Sequence, residues 1–146
     1  PLGIMNVKHS KDETKAKKYS FETVRKEMKK LESVSGFFKE KSLINADLED
    51  RPVKEHLERL CGPIFKIFGP VAASKFLHFS HPKFFIMWDR GLMGRGCDGS
   101  PSGYWKYLKK AQTALGNGRT RKFATKAYPA NPIRGLDVYW MKGKKK

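Results

Sequence analysis

Glycine and proline punctuate much of this chain and set the expected ends of its regular elements. Gly36, Cys61-Gly62-Pro63, Gly69-Pro70, His81-Pro82, Gly116-Asn117-Gly118 and the prolines Pro129 and Pro132 cut it into short segments. Proline has no amide hydrogen and pushes the residue before it out of helical geometry, so each marks an expected boundary. Between the boundaries, apolar residues recur at helical spacing rather than alternating. Phe21, Val24, Met28 and Leu31 share one face of a helix over residues 19–31, with Ser20 as a weak cap. Phe37, Phe38, Leu43 and Ile44 anchor a short coil or helix. Asp47 is read as the N-cap of a helix to Leu60 that turns Val53, Leu57 and Leu60 inward, with Pro52 tolerated near its start. A short apolar helix or turn is expected at 64–68, a helix at 71–79, and a buried segment, helical or extended, at 83–88. A further helix over 104–115 points Trp105 and Leu108 inward. Residues 119–126 read as a basic linker or short strand, and a last helix runs over 133–140. The expected fold is all-α, a compact single-domain helical bundle over residues 19–140, with a long glycine-rich loop at 89–103.

With 146 residues, 39% of them apolar, the chain can bury one core. Its charge says more. The formal net charge is +17, whereas solubility alone is served by about 2–8 charges on a small domain. Residues 39–60 are nearly neutral, with five basic and six acidic side chains. From Cys61 onward there are seventeen Lys/Arg against only Asp89, Asp98 and Asp137, a balance of +14 over 86 residues. Such an excess attracts a polyanion. An anionic membrane is a poorer fit, because the lysines do not line one amphipathic helix. Lys66, Lys75 and Lys83 interrupt the longest apolar stretches, so none is expected to span a bilayer. Cys61 and Cys97 lack metal-site spacing, and Cys61 reads as a buried thiol. The expectation is an intracellular protein, cytoplasmic or in the nucleoid or nucleus, with no cofactor and no metal. Residues 1–4 resemble the remnant of a cleaved affinity tag, 5–18 a flexible basic N-terminus, and 141–146 a basic tail.

The most distinctive stretch is Phe68-Gly69-Pro-Val-Ala-Ala-Ser-Lys-Phe-Leu-His-Phe79, followed by His81-Pro-Lys-Phe-Phe-Ile-Met-Trp-Asp-Arg90. A glycine turn ahead of a helix exposes amides that can receive a phosphate. The stretch resembles the second half of a helix-hairpin-helix module, as in the helix-hairpin-helix DNA glycosylase superfamily. That resemblance implies a hairpin at Phe68-Gly69-Pro70-Val71 gripping DNA phosphates, a helix over 72–79, and Asp89 opening a further helix. It also implies base excision, with Asp89 activating water or stabilising a cationic sugar and Lys75 forming an imine. Val71 or Ala73 stands at the family's second hairpin glycine. Lys75 falls two places beyond the family's lysine when Gly69 is aligned. The pattern is also similar to uncharacterised prokaryotic helical proteins without an assigned activity.

Read from the residues alone, Lys75 reaches a phosphate or simply faces solvent, and Asp89 caps a helix, faces a groove, or both. Arg90, Arg95, Arg119, Arg121, Lys122 and Lys126 are the best phosphate contacts, lying on expected loops. His78 reads as a core-edge histidine, and His78 with His81 makes a poor metal pair. Trp88 packs inward or stacks on a base. No P-loop, dinucleotide fingerprint or Ser-His-Asp arrangement is present. These features point first to binding of DNA or RNA through Gly69, Lys75 and the arginines and lysines just named. Base excision is one alternative. The other is a protein-interaction domain whose aromatic excess serves a partner or a homodimer. The hairpin reading requires Lys75 to face the bound strand while Phe76 and Phe79 enter the core.

Overall fold

The computed structural model describes residues 20–88 and 99–143, with the side chains of 141–143 outside that description. Six α-helices and one 3-10 turn make up the regular structure of these residues, which contain no strand. Helix α1 is Phe21–Ser35, followed by the 3-10 turn Gly36–Phe38. Helices α2 (Arg51–Phe68), α3 (Pro70–Ser80), α4 (Pro101–Gly116), α5 (Gly118–Ala127) and α6 (Pro132–Gly143) follow. They enclose a single apolar core, and the chain is an all-α, single-domain bundle. No helix among the described residues is long and apolar enough to cross a membrane.

Helix α1 starts where the sequence places it, with the Ser20 hydroxyl accepting from the Thr23 amide at 3.3 Å. Val24 and Leu31 are buried, whereas Phe21, from the same expected stripe, stays exposed. Helix α2 departs from expectation at both ends. Asp47 does not cap it. Its carboxylate accepts from the Glu49 amide within the preceding turn, and Asp50 holds the N-cap position without a side-chain bond. Nor do Cys61-Gly62-Pro63 end it. Pro63 lies inside the helix and cannot donate to the Arg59 carbonyl. Continuing the helix buries Ile64, Phe65 and Ile67 in line with Leu57 and Leu60, and that burial outweighs one lost hydrogen bond. The helix stops at Gly69, which adopts φ 78°, a left-handed conformation that favours glycine.

Residues 82–88 form the pass that organises the core. It contains no helix, and Phe84, Phe85, Ile86 and Trp88 are buried. Its backbone polar groups find partners on the surrounding elements. On α3, Ser74 Oγ accepts from the Trp88 amide at 2.8 Å, and His78 Nδ1 donates to the Phe85 carbonyl at 2.7 Å. Tyr104 Oη donates to the Ile86 carbonyl, Asn131 Nδ2 to the Pro82 carbonyl, and the Leu43 amide to the Lys83 carbonyl. Ser74 and His78, one turn apart, therefore do structural work. Ser74→Ala leaves the buried Trp88 amide without that partner. The expected loss is about 1–3 kcal/mol in urea unfolding, with the helical circular-dichroism spectrum retained; an unchanged midpoint would contradict the assignment. Trp88 itself packs on Tyr107 (centroids 5.6 Å, planes 14° apart) and is fully enclosed. A stacking role for it on a bound base is corrected to packing.

Candidate nucleic-acid interface

The segment 119–126, expected as a linker or strand, is helix α5. Asn117 is its N-cap, with the side-chain oxygen accepting from the amides of Arg119 (3.1 Å) and Thr120 (3.2 Å). The segment has only Phe123 and the alanines as apolar residues, so it does not bury a wide face of its own. It is held by close approach to α6. Gly135 of α6 lies against the backbone of Ala124, and a Cβ built on Gly135 would stand 1.8 Å from the Ala124 carbonyl oxygen. Ala124 and Gly135 are both fully buried, beside Ile133 and Leu136.

This pairing fixes which side chains face out. With Ala124 inward, the helical repeat of 3.6 residues turns Arg119, Lys122 and Lys126 to the opposite side, in a stripe about 10 Å long. Arg121 stands to one flank. All four are exposed, and none pairs with a carboxylate among the described residues. Helix α5 has no acid in its first turn, where Arg119 and Arg121 stand instead. Cations there oppose the helix dipole, which favours negative charge at that end.

The wider surface has the same sign. From Cys61 to Gly143 the only carboxylate among the described residues is Asp137. It is 2% exposed and bonded to Arg134 on α6. Lys66, Lys75, Lys83, Lys106 and Lys110 are exposed on the same half of the chain. The acids cluster elsewhere, on α1, the 39–50 segment and the first turns of α2. There Glu49 accepts from both Lys54 and Lys109, whose ammonium groups sit over the Trp105 ring at 4.9 and 4.4 Å. The Lys109 bond first, and the Lys54 bond second, hold the Glu49 carboxyl below its ordinary pKa.

Gly69 and Lys75 belong to a different helix, α3. The α2–α3 connection is Gly69 alone, and the first bond of α3 runs from the Ala73 amide to the Gly69 carbonyl at 3.0 Å. The amides of Val71 and Ala72, in the first turn, have no acceptor within the helix. Pro70 removes a third amide that a phosphate would otherwise meet. Lys75 is exposed, as the hairpin reading needs. Phe76 and Phe79 are not in the core: they are 37% and 67% exposed. The reason is that α3 turns the face carrying Ala73, Ser74, Leu77 and His78 toward the 82–88 pass. The α5–α6 turn reaches the end of α3 through Asn131, at Pro82. Asp89, Arg90 and Arg95 lie outside the described residues.

A cleft of about 430 Å³ opens between α2 and α4, lined by Leu57, Cys61, Tyr104 and Trp105 with Lys54, Glu58 and Ser102. It gathers none of the candidate binding or catalytic residues read from the sequence. Cys61 is a free thiol, and burial pushes its pKa up to about 12 from 9.0. In the unfolded chain the thiol ionises near its ordinary value, so it releases its proton on unfolding above pH 9, and stability falls as pH rises from 9 toward 12. Cys61→Ala removes that slope, about 1.4 kcal/mol per pH unit, relative to the parent. Parallel slopes for the two proteins in alkaline urea titrations would contradict it. No group of three or more His, Cys, Asp or Glu side chains suited to a metal occurs among the described residues.

What these features define is a small helical bundle whose charge is divided, with the C-terminal helices presenting cations only. No family model, no curated protein and no solved structure matches the chain.

Proposed function

We propose that this protein binds nucleic acid through the phosphate backbone, using the exposed face of α5 as its principal contact. The observation that carries this reading is the lack of any solvent-facing carboxylate between Cys61 and Gly143 among the described residues, on a surface rich in unpaired cations. Folding stability does not require that arrangement. Interspersed charges of both signs would repel less, and the first turn of α5 would be steadier with an acid than with Arg119 and Arg121. A local rule broken without an internal gain marks a functional surface. A polyanion supplies the missing negative charge, and phosphates along a strand recur on the scale of the Arg119–Lys122–Lys126 stripe.

In this proposal Arg119, Arg121, Lys122 and Lys126 contact phosphates, and the Gly69 turn with Lys75 offers a further contact. Arg90 and Arg95 join them as sequence expectations. The contacts are to backbone, so little base-sequence preference follows. The test is a salt titration of binding to labelled DNA and RNA, single- and double-stranded. The logarithm of the affinity should fall linearly with the logarithm of salt concentration. Binding that is indifferent to salt, or absent at low salt, would remove the proposal.

A further inference from the structure

Phe123 and Tyr139 are large aromatic side chains left in solvent at the seam of the two most closely packed helices. They are 45% and 40% exposed. Their rings lie 5.8 Å apart and parallel to within 9°. The pair is not isolated from charge. On α5, Arg119 is four residues before Phe123 and Lys126 three residues after it, the spacings at which helix side chains are neighbours. The nearest acid in sequence to either ring, Asp137, is buried against Arg134. An apolar partner surface would be framed differently: a protein seated over these rings would need carboxylates facing Arg119 and Lys126. A polyanion that also carries flat apolar faces satisfies both features.

Resting on the phosphate-binding reading above, we infer that Phe123 and Tyr139 form a stacking platform for unpaired bases, so that α5 and α6 take single-stranded nucleic acid in preference to duplex. Bases in a duplex are already stacked on each other and show the protein only their edges, whereas an unpaired base has a face free for an aromatic ring. Arg119 and Lys126 hold the flanking phosphates while the rings take the bases. Duplex binding uses the cations and leaves the rings idle.

The experiment compares fluorescence anisotropy of a labelled homopyrimidine single strand of about 15 nucleotides with that of a duplex of equal length. The proteins are the full chain, Phe123→Ala/Tyr139→Ala, and the conservative pair Phe123→Tyr and Tyr139→Phe. Single-strand affinity should fall roughly tenfold or more in the double alanine variant. Duplex affinity and the salt slope should stay as in the parent, and the conservative variants should bind normally. Circular dichroism and the unfolding midpoint, read on each variant, separate lost stacking from lost folding. Equal losses on both probes in a folded protein, or no loss on either, would overturn the stacking inference while leaving phosphate binding intact. Failure of the parent to bind either probe at low salt would overturn both readings. A parent that sediments as a dimer and a double variant that sediments as a monomer would make the platform a self-interface, and would also overturn the inference.

Discussion

Gly135→Ala lowers the stability of this protein by about 3 kcal/mol or more, well beyond the usual effect of adding one methyl group. The added carbon would stand 1.8 Å from the Ala124 carbonyl oxygen and 2.6 Å from its carbonyl carbon. Both atoms are backbone, so no side chain can swing aside. Helices α5 and α6 must separate along their contact, and Ile133, Leu136 and Ala124 lose burial together. A drop of about 10 °C in the melting midpoint follows for a domain of this size. Ala124→Gly does not rescue the variant, because the obstacle is the carbonyl group and not the Ala124 methyl. A melting midpoint within a degree or two of the parent would show that the two helices do not approach so closely, and the orientation of α5 would fall with them.

That contact explains why α5 could not be read from the sequence. The helical period was plain wherever large apolar residues mark it, as with Val24 and Leu31 in α1 or Leu108 in α4, where Tyr104 rather than Trp105 takes the fully buried place beside it. Helix α5 is marked by Ala124 and by a glycine on another helix, and hydropathy does not flag either. Its one local signal was Asn117, a good N-cap read there only as the end of α4. Helix α2 departs from its local sequence signals for the opposite reason. Gly62-Pro63 is a sound local stop, but burying Ile64, Phe65 and Ile67 overrode it. On α3 the helix was legible over 71–79 and His78 at its core edge, yet the burial of Ser74 and the exposure of Phe76 and Phe79 were not. Ser74 and His78 face inward because the 82–88 backbone needs their hydrogen bonds, and Phe76 and Phe79 are left outside. The basic character of the candidate site was legible from charge alone. The Phe123–Tyr139 pair was not, since it joins residues on two helices whose packing is set by Gly135.

Replacing Arg119, Lys122 and Lys126 together by alanine should weaken single-strand binding about 100-fold at about 0.1 M salt. Each cation that neutralises a phosphate releases a counterion, and three such contacts account for about two powers of ten between that salt and 1 M. The folded protein should not suffer, because all three are exposed and unpaired with any described carboxylate. Losing Arg119 from the first turn favours α5 and losing Lys126 from its last turn opposes it, so the two dipole effects largely offset. A matched change on the acid-bearing half, Lys26→Ala/Lys29→Ala/Lys39→Ala, removes the same charge from a surface that also carries Glu22, Glu27 and Glu32. It should cost far less affinity.

The most direct measurement of the central claim is the slope of log affinity against log salt concentration for a single strand, taken on the parent and on these two triple variants. The parent slope should be steep. The α5 variant should be shallower by about 2, at roughly 0.7 per lost phosphate contact, while the control variant keeps nearly the parent slope. Equal slopes for the two variants would mean that binding answers to net charge alone and that α5 is not the interface.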